Sequence, residues 1–217
     1  MNFFFDFFNV WKVFLSKKNN FFELVLTFIF SCFFLVFFRE FLILVESWDH
    51  NLGVFNDPFF ILDPVDLSIP IFLITYSTMG FFVFYNLKNP DKLVYLIQVV
   101  VILLFLRAIS LFFIRLDADP NMIVLQDPFL NTFMYQINEE TGTYNQHDLF
   151  FSGHTANLFL VSILFKNKKL KYIFLTLTFL MAICLVLQRA HYSIDVIFAP
   201  AFSLLAIYIH KKIKCLE

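Results

Sequence analysis

The chain carries too little charge to cover a soluble surface. Asp, Glu, Lys and Arg make up only 15% of its 217 residues, against 60% hydrophobic residues and a mean hydropathy of +0.76. That balance belongs in a membrane rather than in water. Glycine occurs only four times and the apolar runs do not alternate, which argues against a β-barrel with its period-two strands and Gly-rich turns. The three cysteines, Cys32, Cys184 and Cys215, lie in apolar runs or in the tail. None is placed for an extracellular disulfide framework or a CxxC metal site. A net charge of −1 gives no ground for a nucleic-acid partner, and none is expected; in a membrane protein the distribution of charge carries the information. What the sequence has in excess is phenylalanine, 35 residues, which fits a lipid-facing helical exterior and has no function of its own.

A membrane-crossing helix needs about 20 apolar residues. Six stretches qualify, at residues 21–45, 68–88, 93–115, 149–165, 170–188 and 191–210, the fourth at the short limit. Ahead of them, Phe3 to Phe14 mixes Phe and Trp11 with Asp6 and Lys12, a pattern that suits an interfacial helix. No cleavable signal is expected, because the first apolar run is too long and lacks a small-residue cleavage site. The expected architecture is all-α: a polytopic six-transmembrane-helix bundle with an N-terminal interfacial helix. Three regions follow, an interfacial segment over 1–20, a single catalytic membrane domain over 21–210 and a tail over 211–217.

All twelve lysines fall before the first stretch, between the second and third, between the fourth and fifth, or after the last. The positive-inside rule then makes both termini cytoplasmic. The connections Glu46 to Leu67 and Leu116 to Asp148 hold eleven carboxylates and no Lys or Arg, so they face outward. The four arginines are segregated from the lysines, with Arg39, Arg107, Arg115 and Arg189 all in the outer halves or at the outer ends of spans. Guanidinium groups at that depth require a carboxylate, a phosphate or water. For Arg39 the neighbouring Glu40 is an alternative partner.

Two short segments carry the chemistry: Phe151-Ser152-Gly153-His154-Thr155 at the start of the fourth stretch and Arg189-Ala190-His191-Tyr192-Ser193-Ile194-Asp195 entering the sixth. Both fall at helix N-termini on the outer face, where unpaired N–H groups and the helix dipole favour an anion. Ser152 offers a hydroxyl, and Gly153 lets the backbone approach a phosphate closely. His191 and Asp195 are spaced i, i+4, so the carboxylate can hold one ring nitrogen and leave the other free to attack phosphorus. His154 would then protonate the departing oxygen, while Arg189 and Arg107 neutralise the phosphate. His50, His147 and His210 have no such company and read as satisfied polar residues.

At these residues the sequence resembles the type 2 phosphatidic acid phosphatase superfamily, with its Ser-Gly-His and later Arg…His…Asp elements. More narrowly it is similar to the sphingomyelin synthase branch, which continues Ser-Gly-His-Thr and Arg-x-His-Tyr-x-x-Asp-Val, as here over Phe151 to Thr155 and Arg189 to Val196. Leu62-Asp63-Pro64-Val65-Asp66 with Pro70, and Leu106-Arg107-Ala108-Ile109-Ser110, are weaker echoes of that branch. The Lys-x6-Arg-Pro element of the wider superfamily has no match, and Gln146-His147-Asp148 stands where the synthases have Cys-Gly-Asp. The resemblance implies a phosphohistidine on His191, oriented by Asp195, with His154 as acid and then base. Only two histidines and one carboxylate converge, and a base with its orienter explains them without an ion, so neither metal nor cofactor is expected.

The leading expectation is therefore a membrane enzyme transferring or cleaving phospholipid head groups, with ceramide or diacylglycerol as possible acceptor and the active site on the exoplasmic side. The runner-up is a phosphatase acting on a phosphatidate-type or undecaprenyl-type lipid phosphate. Asp117, Asp119, Asp127, Glu139 and Glu140 either draw in a cationic head group or form a solvated outer surface. A non-catalytic lipid binder or a transporter is the reading from another class, but the chain shows no internal repeat and keeps His154, His191 and Asp195 together. The oligomeric state is not legible in the sequence.

Overall fold

The computed structural model describes residues 3–48, 52–127 and 146–215. Among these there are seven helices and no strand: α1 Phe3–Ser16, α2 Lys18–Glu46, α3 Ser68–Tyr85, α4 Pro90–Phe113, α5 Gly153–Leu164, α6 Lys168–Leu187 and α7 Ser193–Lys214. Five of them, α2, α3, α4, α6 and α7, are long and apolar enough to cross a membrane. The chain is an integral, polytopic membrane protein.

Local chemistry sets the helix ends. Pro90 opens α4 at a position where its missing N–H costs nothing. Asn167 caps α6, its side chain accepting the N–H groups of Lys169 and Leu170. The fourth apolar stretch differs most from expectation. It becomes helical only at Gly153 and runs for 12 residues, about 18 Å at 1.5 Å per residue, well under the roughly 30 Å hydrocarbon core.

Its position explains the short length. α5 packs against α3, α4, α6 and α7, and Ala156, Leu158, Leu160 and Val161 are fully buried. A helix enclosed by four others meets protein rather than lipid, so bilayer thickness does not fix its length. Around it, Phe82, Leu96, Val99, Leu103, Phe151 and Phe174 complete the main core.

α2 has the opposite character. It packs on α1 and α4 and turns Phe28 and Phe33 outward, at 68% and 69% exposure. Exposed in water, such rings would each lose about 1.5–3 kcal/mol of burial energy, which a bilayer restores. α1 is helical as expected and is fixed to the α3–α4 turn, with Trp11 Nε1 donating to the Leu87 carbonyl at 2.8 Å and Lys88 pairing with Asp6 at 2.9 Å.

The alternating helices gather the N-termini of α3, α5 and α7 and the C-termini of α4 and α6 at one end of the bundle. Segments 52–67 and 114–127 lie there, and the lysine-rich connections lie at the other end. Gln188, fully buried, ties the motif end together. Its side chain accepts the Leu67 N–H at 2.9 Å and donates to the Ser68 hydroxyl at 2.9 Å and to the Ile123 carbonyl at 3.1 Å. Val65 N–H adds a bond to the Leu187 carbonyl, so the Leu62 to Asp66 stretch is held against the end of α6. The Ser68 backbone N–H beside Asp66 keeps that carboxyl below its ordinary range.

Candidate active site

The two motif segments are hydrogen-bonded to each other. Ser152 is the N-cap of α5, its hydroxyl accepting the Thr155 N–H at 3.3 Å, and its own N–H donates to the Asp195 carbonyl at 3.1 Å. The start of α5 is thereby fixed in register with the first turn of α7. Ser193 N–H donates to the buried carboxylate of Asp57, which also takes the Phe59 N–H at 2.9 Å. An acid from the 52–67 segment thus satisfies one of the open donors at the head of α7.

His191 and Asp195 are both buried, with Nδ1 3.5 Å from Oδ2. That separation is within ion-pair range but too long for a good hydrogen bond, and Nδ1 and Asp195 Oδ1 have no hydrogen-bond partner. Asp195 Oδ2 also accepts the Tyr192 N–H at 2.9 Å. The carboxylate therefore caps α7 and faces the imidazole at once, leaving Nε2 as the nitrogen turned away from it.

His154 and His191 line one cavity of about 120 Å³. Phe72 of α3, Arg107 of α4, Asp127, Asp148 and Ala190 contribute to its wall. The space equals about four waters, the scale of a phosphate group. Phe72 stands edge-on to the His154 ring at 5.7 Å between centroids.

Arg107 supplies the positive charge. Its Nε and Nη2 both bind Asp148 Oδ1, at 3.0 and 2.7 Å, and Nη2 also reaches the Asp148 carbonyl at 3.0 Å. Nη1 is buried with no partner. The guanidinium lies against Gly153, where an added Cβ would sit 3.4 Å from both Cζ and Nη1. The arginine thus rests on the head of α5.

Arg189 is placed differently. It adopts φ 57°, the left-handed conformation that ends α6. Ala190 N–H bonds to the Leu185 carbonyl and Arg189 N–H to the Val186 carbonyl, both at 3.0 Å, which is the Schellman pattern usually completed by glycine. Its side chain runs to Asp119 at 3.1 Å, to the Leu62 carbonyl at 3.1 Å and over the Phe60 ring at 5.0 Å. It does not line the cavity shared by the histidines, and neither does the Ser152 hydroxyl, which is spent on capping. Tyr192, fully buried, donates to the Asp117 carbonyl at 2.7 Å and stacks on Phe60.

Several other residues singled out in the sequence are engaged away from the cavity. Arg39 pairs with Glu40 at 2.6 Å, and Arg115 lies over Trp48 at 4.4 Å. His147 Nδ1 meets Glu46 at 2.8 Å, and His210 meets Gln98 at 2.7 Å. His50, Glu139 and Glu140 lie outside the described residues. Asp127 accepts a hydrogen bond from the Tyr76 hydroxyl and contributes to the cavity wall. Sequence reasoning passed over Gln188 and assigned no role to Asp148, and these two matter most. Asp148 had two available signals, its position three residues before the Phe151 motif and its place as the Asp of the Cys-Gly-Asp element.

Fold and cavity together define a polytopic membrane protein with two imidazoles, one of them buried, and an arginine around one phosphate-sized space. Residues 147–212 match the family described as PAP2 superfamily C-terminal, a segment that contains both histidines and Asp195. This supports the type 2 phosphatidic acid phosphatase superfamily and a function of the lipid phosphatase or phosphotransferase type. No curated protein and no solved structure matches the chain.

Proposed function

We propose that the protein transfers or cleaves phospholipid head groups through a phosphohistidine on His191, in the manner of the sphingomyelin synthase branch. The observation that carries this reading is the shared cavity, lined by His154, His191 and Arg107, whose Nη1 has no partner. A lipid phosphate entering it gives one oxygen to Arg107 Nη1, satisfying a buried donor that is otherwise costly to leave unpaired. His191 Nε2 attacks phosphorus, the bond to the leaving oxygen breaks with its electron pair, and His154 supplies the proton that oxygen needs. In the second half, His154 takes a proton from the incoming water or alcohol, whose oxygen displaces the imidazole. Asp195 stabilises the imidazolium character that develops on His191 while the phosphoryl group is attached.

The short α5 counts in this reading as the fourth of six membrane-inserted helices, with α1 lying in the interface. Lysine asymmetry supports cytoplasmic termini and an exoplasmic active site. Arg189 acts from outside the cavity, holding segments 52–67 and 114–127 over it through Leu62 and Asp119.

A lipid phosphate monoesterase is the second reading, favoured by the breadth of the family match, since these residues serve water and lipid alcohols alike. Purified protein given labelled phosphatidylcholine, phosphatidylethanolamine or phosphatidate, each with and without ceramide, separates the two. A new phospholipid that requires the added acceptor is the expected product. Free phosphate from phosphatidate, with no transfer product, would instead establish the monoesterase.

A further inference from the structure

We propose that the groove between α6 and α7 binds the uncharged lipid alcohol that accepts the head group. This inference rests on the transfer reading above. α6 packs mainly on α5 and only lightly on α7, and the gap between them holds a groove of about 590 Å³ floored by Thr155 and Phe159 of α5. Along α6 it extends from Leu175 to Leu187, which at 1.5 Å per residue is about 18 Å, a little over half of the roughly 30 Å hydrocarbon core. Its depth is therefore one leaflet, measured from the end that carries the motifs.

The lining selects the occupant. None of the groove residues is charged, and a phosphate or ammonium placed there would be desolvated with no counter-charge. The polar residues at its outer end are Thr155, whose hydroxyl accepts from Ser152 at 3.1 Å, and Ser193; uncharged hydroxyls of this kind suit a neutral hydroxyl-bearing head such as that of a diacylglycerol or a ceramide. Thr178, further along, turns its hydroxyl back to the Phe174 carbonyl at 2.8 Å and so leaves that part of the wall apolar. Its polar end is built from the same two helix heads as the cavity, because Thr155 follows His154 and Ser193 lies two residues after His191, although no residue lines both spaces. The phospholipid donor and the alcohol acceptor thus approach the head of α5 from different sides, one through the cavity beside Phe72 and Arg107 and the other along the groove.

In the step served by this site, the alcohol oxygen forms a bond to phosphorus as the bond from phosphorus to His191 Nε2 breaks. The electron pair of that bond returns to the ring, and the alcohol proton goes to His154.

The test fills the groove in full-length protein in phosphatidylcholine nanodiscs, with Ala182→Phe and, as a second variant, Ile183→Trp. Two readouts are taken: the ratio of acceptor-dependent transfer to hydrolysis, and labelling by a diacylglycerol carrying a diazirine in its acyl chain. The expected result is at least a tenfold fall in the ratio, a raised apparent KM for the acceptor, and photolabel on α6 of the native protein that both variants lose. Transfer and hydrolysis falling together, an unchanged ratio, or photolabel confined to other helices would overturn the proposal. Native protein that hydrolyses but never transfers would instead sink the head-group transfer reading and the acceptor role with it. The photolabel would then report only whether a neutral lipid occupies the groove.

Discussion

Asp195 has two tasks at one carboxylate, and a single substitution separates them. Asp195→Asn keeps an oxygen for the Tyr192 N–H but removes the charge facing His191. We expect a melting temperature close to native with turnover lower by about 10²–10⁴-fold, the range of positioned acid–base catalysis; turnover near native would contradict the orienting role. Arg189 makes a second residue-scale case. A non-glycine residue in the left-handed region costs roughly 1–2 kcal/mol, and here it is retained with a side chain bound to Asp119 and Leu62. Arg189→Ala should therefore be less stable than Arg189→Gly by about 1 kcal/mol in thermal unfolding, while both lose activity because the tether is gone. Equal stability of the two would show that the backbone conformation carries no strain. His154, His191 and Asp195 were legible because their chemistry lies in local spacing. The Arg107–Asp148 pair and the Gln188 contacts join positions 41 and 120 residues apart, and no local pattern announces such pairings. Ser152 and Arg189 were legible as motif members, but their tasks were not. The motif names the residue, and only the fold decides whether its polar atoms face the cavity or the scaffold.

Among the helices, α2 and α5 mark the two extremes of what hydropathy reveals. Both are apolar, yet the aromatic rings of α2 face outward while α5 packs against four other helices. Hydropathy registers apolar character without saying whether the neighbour is lipid or protein, so the fourth stretch read as a short span and emerged as a central 12-residue helix. The difference predicts unequal mutational costs. Leu160→Ala, at a fully buried site on α5, should destabilise by about 2–5 kcal/mol through the cavity it leaves. Phe33→Ala on the outer face of α2 should change the unfolding temperature in lipid nanodiscs far less. Comparable losses at the two positions would mean that α2 packs against something more specific than acyl chains.

For the molecule as a whole, charge asymmetry sets the expected orientation and the cavity sets the expected chemistry. Cys215 is exposed just beyond α7, whereas Cys32 and Cys184 lie within α2 and α6. A membrane-impermeant maleimide should leave Cys215 unmodified in intact cells and label it after permeabilisation; labelling of intact cells would reverse the proposed topology and move the active site to the cytoplasmic face. The chemistry is tested most directly by trapping the covalent intermediate. Native protein and His191→Ala are mixed with a phospholipid labelled in its phosphate, quenched on the millisecond scale and assayed for protein-bound label. The account predicts acid-labile, alkali-stable label on native protein that maps to His191, is absent from His191→Ala and survives excess EDTA. Label that persists in His191→Ala, or turnover by native protein with no labelled protein at any quench time, would contradict it.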